Sequence, residues 1–150
     1  MATAPAIDEL RTVRVETELG FRCPPERLFD ALTKDTRSWF PATYGEDKVL
    51  DVVVEPRVGG AHYEDWGDGR GHLYGHVTVW DPPHAFSTRG RLMPGTILDS
   101  AYELEAVGDE TVLRVSKVAV GPITDEEAAS IKRYGDISRF ADALRAVVEG

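Results

Sequence analysis

The sequence contains a single cysteine, Cys23, and it lacks any apolar run of the length that a membrane span needs. Because one cysteine cannot form an intrachain disulfide, nothing in the chain requires an oxidising compartment. The opening residues, MATAPAIDELRTVRV, carry no apolar core of the kind found in a signal peptide. We therefore expect a cytoplasmic protein that has no membrane partner.

Basic side chains are also scarce. The chain has 17 Lys and Arg residues against 26 Asp and Glu residues, which gives a formal net charge of −9 at pH 7. A chain of this charge repels phosphate backbones unless basic residues cluster on one face, and the sequence shows no such cluster. Nucleic acids and anionic membrane surfaces are thus excluded as expected partners.

What is present indicates a packed globule. Hydrophobic residues make up 42% of the 150 residues, enough for one continuous core, so residues 1–150 predict a single domain in which residues 1–10 form a loose start. The segment TVRVETELGF alternates, with side chains such as Val13 and Leu19 on one face and Arg14 on the other. This alternation is typical of a half-buried strand.

Two short helices are predicted next. CPPERLFDALT begins with two prolines, which the first helical turn tolerates because its N–H groups have no intrahelical partner. KDTRSWFPATYG predicts a second helix that ends at Pro41. From Lys48 to about Ala119 the pattern then predicts six strands, with turns at GDG (67–69) and GD (108–109), where glycine supplies positive φ.

The C-terminal part predicts one long amphipathic helix over residues 124–148. Thr124 and Glu127 form a capping box, apolar residues follow at helical spacing, and Gly135 is a position where the helix can kink. The element order predicts a meandering antiparallel sheet whose apolar face is covered by this helix. A curved sheet around one helix tends to leave a cavity that suits a small apolar ligand.

Several segments, in this order, resemble the START-like (SRPBCC) superfamily, in particular its branch related to the activator of Hsp90 ATPase. They are CPPERLFDALT, SWF, VEPRVGG, GHVTVWDPP and YELEAVGDETVLRV. The resemblance implies an α+β helix-grip fold: a curved antiparallel sheet of about seven strands around a long C-terminal helix, with two short helices after the first strand. It implies no single activity, since the superfamily includes lipid and hormone binders, polyketide cyclases and aromatases, and co-chaperones.

Two interpretations assign the faces of the strands that hold GGAHYEDW and GHLYGHVTVW, because residues two apart share a face. The resemblance places the even-numbered residues, beginning with His62, towards the helix. The number of apolar residues instead favours the odd-numbered Leu73, Val77 and Val79. We favour the first interpretation, in which His62, Glu64, Tyr74 and His76 form a polar patch in the cavity and Lys117 projects towards it.

The candidate ligand-binding residues are Trp39, His62, Glu64, Trp66, Tyr74, His76, Trp80, Phe86, Tyr102 and Tyr134. No catalytic residue, metal ligand or cofactor is assigned, since the histidine spacing matches no strong metal motif and the lone cysteine is more typical of packing. The expected function is binding of a small, mainly apolar molecule. Two alternatives stay open: an enzyme acting on a carbonyl-bearing aromatic or polyketide-like compound, and an Hsp90-type co-chaperone. The sequence also leaves a homodimer open.

Overall fold

The computed structural model describes residues 7–40 and 43–150. The predicted first strand is confirmed, with Val13 and Phe21 buried and Arg14 exposed on the opposite face. Pro41, the predicted end of the second helix, lies outside the described residues. Within the described part of the chain, no helix is long and apolar enough to cross a membrane.

The strands of the described residues form one antiparallel sheet in the order β1-β7-β6-β5-β4-β3-β2. They are β1 Arg11–Phe21, β2 Asp51–Val54, β3 Ala61–Gly67, β4 Arg70–Asp81, β5 Ala85–Met93, β6 Thr96–Val107 and β7 Glu110–Gly121. The helices are α1 Pro25–Thr33, α2 Thr36–Trp39, α3 Asp125–Gly135 and α4 Ala141–Val148. This architecture confirms the predicted α+β helix-grip fold.

The C-terminal helix is not continuous, in contrast to the span predicted over residues 124–148. Helix α3 ends at Gly135, a short 3₁₀ turn covers Ile137–Phe140, and α4 follows. Asp136 has an extended backbone, and its carboxylate accepts hydrogen bonds from the Ser138 amide and hydroxyl. The break at Asp136 is thus stabilised by a local cap, as side-chain caps commonly replace the hydrogen bonds that a helix end lacks.

Two separate hydrophobic clusters join the helices to the sheet. The larger one packs α1, α2 and α4 against the sheet through Phe21, Leu28, Phe29, Leu32, Trp39, Phe86, Leu104, Leu113, Val115, Ile137, Leu144 and Val148. The smaller one packs α3 and its entry through Val13, Ala119, Ile123, Ala128 and Ile131. The helices therefore pack against the sheet through two separate hydrophobic clusters.

Strand β4 contains two β-bulges, and they decide which side chains face the helices. Its pairing with β3 steps from Gly75 to Leu73, which makes Tyr74 an additional residue, and its pairing with β5 skips Thr78 in the same way. Each bulge shifts the alternation by one residue. From Tyr74 onwards, the inward side chains of β4 are consequently Tyr74, Val77 and Trp80, at a spacing of three.

Neither interpretation of this strand was therefore right along its whole length. His76 and Thr78 are exposed, although the even-numbered interpretation directed them inward. Leu73 is 51% exposed and Val79 is 45% exposed, although the odd-numbered interpretation directed them inward. The sequence signal for the first bulge is Gly90 on β5: a Cβ there would lie 1.7 Å from the Tyr74 carbonyl oxygen, so the two backbones can approach only at glycine.

Candidate functional site

A pocket of about 550 Å³ lies between the sheet and the C-terminal helices, at the place where the two hydrophobic clusters do not meet. Leu32 and Ile137 belong to the larger cluster and line the pocket at one end, whereas Ile131 and Leu98 line it from the smaller cluster. The volume falls within the range of small-molecule sites.

Aromatic side chains form one apolar wall of the pocket. The rings of Phe86 on β5 and Tyr102 on β6 stack with centroids 4.5 Å apart and planes 4° from parallel. Phe40 packs edge-on against Trp39, with centroids 5.7 Å apart, on the helical side. These rings supply the large apolar area that dominates the binding of small molecules.

A polar row crosses the sheet beside this wall. Thr88 on β5 pairs with Ser100 on β6, and Ser100 pairs with Lys117 on β7. All three side chains line the pocket, and both hydroxyl residues are buried. The Lys117 ammonium lies 5.8 Å from the centroid of the Tyr102 ring. The row thus gives the floor of the pocket two hydroxyl groups and one positive charge.

His62 on β3 faces the same pocket. Its ring lies 4.8 Å from that of Tyr74, centroid to centroid. Burial, and then the positive charge of Lys117, lower the pKa of His62 from 6.5 to about 4. The imidazole is therefore neutral at pH 7, with one nitrogen that donates a hydrogen bond and one that accepts.

Glu64 is fully buried, with 0% of its surface exposed, and its carboxylate accepts four hydrogen bonds. Oε2 accepts from the Tyr44 amide at 2.7 Å and from the Tyr74 hydroxyl. Oε1 accepts from the Gly45 amide at 2.8 Å and from the Trp66 indole N–H at 3.0 Å. Glu64 therefore ties the loop at residues 43–45 to strands β3 and β4.

The pKa values of this cluster follow from its geometry. Desolvation raises the pKa of Glu64, but the hydrogen bonds, led by that from Tyr74, outweigh it and leave the pKa below its ordinary value. Burial and the Glu64 carboxylate raise the pKa of Tyr74 well above its ordinary value. Glu64 is thus an ionised anchor and Tyr74 a neutral donor to it, so neither is poised to exchange a proton with a ligand.

Gly45 explains why Trp66 lies where it does. A Cβ at Gly45 would approach the indole Nε1 to 2.2 Å and Cε2 to 2.6 Å, so only glycine leaves room for the ring. The other side of the indole is covered by Lys48, whose ammonium lies 4.8 Å from the ring centroid. Trp66 therefore packs beneath the loop and does not line the pocket.

The rim of the pocket is formed by Tyr44 and His72. Their rings stack with centroids 4.0 Å apart, and both residues line the pocket. Tyr44 is 56% exposed, so this pair is open to solvent. Because Glu64 holds the Tyr44 amide, the buried carboxylate also sets the position of the rim.

Six of the ten candidate residues line the pocket, namely Trp39, His62, Tyr74, Phe86, Tyr102 and Tyr134. Four lie outside it. Glu64 and Trp66 are engaged beneath the loop, and His76 is exposed because of the first bulge. Trp80 faces inward but packs in the core against Phe29, with centroids 5.1 Å apart. That the six pocket residues bind a ligand stays a prediction.

Sequence reasoning missed several pocket residues, although some could have been found. Thr88 lies two residues after Phe86, and Ser100 lies two residues before Tyr102, so strand alternation places all four on one face. His72 shares a face with Tyr74 in the same way. Tyr44 could not have been found, because it reaches the pocket from a loop whose position depends on Glu64.

Thiol reactivity and metal binding are two further kinds of chemistry that the residues bear on. Cys23 is buried, and desolvation followed by the Glu149 carboxylate raises the pKa of its thiol, which disfavours the reactive thiolate. Among residues 7–40 and 43–150, no three His, Cys, Asp or Glu side chains converge in a way that could hold a metal ion.

A curved sheet that surrounds C-terminal helices defines the START-like class of helix-grip proteins. A family model described as "Activator of Hsp90 ATPase homolog 1-like protein" matches residues 22–149, and the chain belongs to this family. No curated protein sequence matches the chain.

Solved structures share the fold at low sequence identity. An uncharacterised protein from Rhizobium leguminosarum has a TM-score of 0.69 and 22% identity, over 96% of this chain and 99% of its own. The Aha1 dimer from Colwellia psychrerythraea has a TM-score of 0.63 and 22% identity, over 91% and 96%. A protein of unknown function from Staphylococcus aureus has a TM-score of 0.65 and 16% identity, over 94% and 96%.

Proposed function

We propose that the protein binds a small, mainly apolar molecule in the pocket between the sheet and the C-terminal helices. The observation that carries this proposal is the gap of about 550 Å³ between two packed hydrophobic clusters. A concave, mainly apolar pocket of this volume with a few polar groups is the usual form of a small-molecule site. The stacked rings of Phe86 and Tyr102 would cover the apolar body of the ligand.

The proposal is tested with a neutral fluorescent probe, N-phenyl-naphthylamine, and with the melting temperature of the protein. We expect the fluorescence of the probe to rise on binding and the melting temperature to rise with probe concentration, because a ligand that binds only the folded state stabilises it. Native mass spectrometry of the purified protein would report any ligand that it retains.

A matched pair of variants locates the binding site. Ser100→Leu places a larger apolar side chain in the floor of the pocket, and we expect it to reduce probe binding at least tenfold. Ala101→Leu makes a similar change at the next residue, which is exposed on the outer face, and should leave binding unchanged. Equal binding by the two variants, or no binding by the wild-type protein, would contradict the proposal.

We do not extend the proposal to a reaction. A proton transfer by His62 would be helped by a carboxylate that orients its imidazole, but the carboxylate of Glu64 accepts hydrogen bonds from the Tyr44 and Gly45 amides and from two side chains. A general base must reach the proton that it removes, and Glu64 lies outside the pocket lining. A binding role needs only the neutral imidazole and the hydroxyl groups.

The homodimer, the chaperone partner and the cytoplasmic location are proposals that do not depend on the pocket. A homodimer is supported by Ile97 and Val120, which pair in register on the outer face of the sheet and are 52% and 41% exposed. The Aha1 structure from Colwellia psychrerythraea is described as a dimer. Analytical ultracentrifugation would test the dimer, and a pull-down would test a chaperone partner. The cytoplasmic location stays a prediction.

A further inference from the structure

We propose that the ligand of this pocket carries a carboxylate, which Lys117 binds together with the hydroxyl groups of Thr88 and Ser100. This inference rests on the proposed function, because it concerns the same pocket. It identifies the ligand class as small apolar carboxylic acids, with the acid group held at the middle of the sheet.

The first argument is the charge of the pocket. None of the described residues that line it is Asp or Glu, although acidic residues outnumber basic ones by 26 to 17 in the whole sequence. Lys117 and Arg91 both line it. An acidic protein that places only positive charge around one pocket attracts anions to that pocket and repels them elsewhere.

The second argument is that the Lys117 ammonium has no acidic partner among the described residues. Lys117 is half-buried and forms no salt bridge with any described residue. Gly135 lies over the Lys117 stem, and the carboxylate of the adjacent Asp136 accepts hydrogen bonds from Ser138 and from the Thr17 hydroxyl. The Lys117 ammonium is therefore available to a bound carboxylate, which would form a charge-assisted hydrogen bond with it.

The third argument is the pattern of the sheet on either side of Lys117. On one side, the next inward row consists of Phe86, Tyr102 and Val115, and on the other it contains Leu98 and Ala119. The polar row therefore lies between two apolar rows. A ligand that fits this pattern has one charged group flanked by apolar surface, which describes an aromatic or branched carboxylic acid.

Carboxylate is favoured over a dianionic group such as phosphate. The floor offers one ammonium and two hydroxyl groups, and His62 is uncharged at pH 7, so a single negative charge is balanced there. Arg91 is exposed at the margin of the pocket, where it can attract an anion. Charge-assisted hydrogen bonds of this kind are about twice as strong as neutral ones.

Isothermal titration with naphthylacetic acid and its primary amide, naphthylacetamide, tests the inference. These two probes have the same apolar body and differ in charge. We expect the wild-type protein to bind the acid at least tenfold more tightly than the amide. Lys117→Met should abolish this preference, so that the acid and the amide bind within threefold of each other. Lys132→Met, which removes one charge from the exposed face of α3, should keep the preference.

Three outcomes would overturn the inference. If the neutral probe binds but the wild-type protein does not prefer the acid, the inference fails and the proposed function stands. If Lys117→Met keeps the preference, another group binds the carboxylate. If none of the three probes binds, the proposed function itself fails. Lys117→Arg, which keeps the charge, should retain the preference. The comparison of the acid with the amide on the wild-type protein tests the inference even if a variant does not fold.

Discussion

The Tyr74 hydroxyl donates a hydrogen bond to Oε2 of Glu64, and the phenol reaches the carboxylate because Tyr74 is the additional residue of a β-bulge. The same carboxylate accepts from the amides of Tyr44 and Gly45. One buried side chain thus joins two strands and a loop. Because the loop forms the rim of the pocket, the anchor links the stability of the fold to the shape of the site.

We expect Glu64→Gln to lower the free energy of unfolding by about 3 kcal/mol, because an amide group would place N–H donors against the donors that now surround the carboxylate. Tyr74→Phe removes a single donor to the ionised carboxylate and should lower the free energy of unfolding by about 1.5 kcal/mol. Urea denaturation of the three proteins measures both values. A Glu64→Gln variant as stable as Tyr74→Phe would show that the carboxylate is not the anchor.

Gly45→Ala should lower the free energy of unfolding by about 2 kcal/mol, because the new Cβ would overlap the Trp66 indole and the ring would have to move. Gly20→Ala is the matched control: the only atom within 4 Å of its Cβ is Glu110 Oε2 at 3.9 Å, and its φ is not in the left-handed region. Tryptophan fluorescence and thermal unfolding would report the two changes. Equal stability of the two variants would contradict the packing argument.

His62 should make stability depend on pH. Its pKa is lowered from 6.5 to about 4 in the folded protein, so the unfolded chain binds more protons between these values. The stabilisation by neutral His62 is complete above pH 6.5 and is lost as the pH falls towards 4. The free energy of unfolding falls by on the order of 3 kcal/mol over this pH range.

The contribution of His62 can be isolated from that of other groups by comparing variants. We expect the difference in unfolding free energy between the wild-type protein and His62→Gln to change across this pH range. An exposed residue without a titratable group provides the control, since Leu73→Gln should show a constant difference. Urea denaturation at several pH values measures both. A constant difference for His62→Gln would contradict the buried, neutral state of the ring.

Removing the capping box of α3 should lower the free energy of unfolding by less than the Glu64 substitution does. The Thr124 hydroxyl accepts from the Glu127 amide at 3.1 Å, and the Glu127 carboxylate accepts from the Thr124 amide at 2.9 Å. Thr124→Ala should cost about 1 kcal/mol, whereas Thr124→Ser keeps the hydroxyl and should cost a few tenths. Thermal unfolding would distinguish them, and equal melting temperatures for the two variants would count against a stabilising cap.

Local patterns predicted most of the elements because their causes are local. The alternation of β1, the prolines that open α1 and the capping box of α3 each depend on neighbours in the chain, and the structure confirms them. Gly135 was predicted as a position where the helix can kink, and α3 ends there, but the complete break at Asp136 was not predicted, since the Asp136 carboxylate is held in part by Thr17, far away in the sequence. The faces of β4 were not predicted either, because a bulge forms between strands and leaves the residue pattern of one strand unchanged.

The amino-acid sequence by itself determined the element order, the fold class and the rings that form the apolar wall, because periodicity and turn chemistry act over a few residues. Only the tertiary structure decided the site. It turned His76 to solvent, enclosed Glu64 beneath the Tyr44 loop, and aligned Lys117 with Ser100 across the sheet. These arrangements depend on the register between strands distant in sequence, where a shift of one residue moves a side chain to the opposite face.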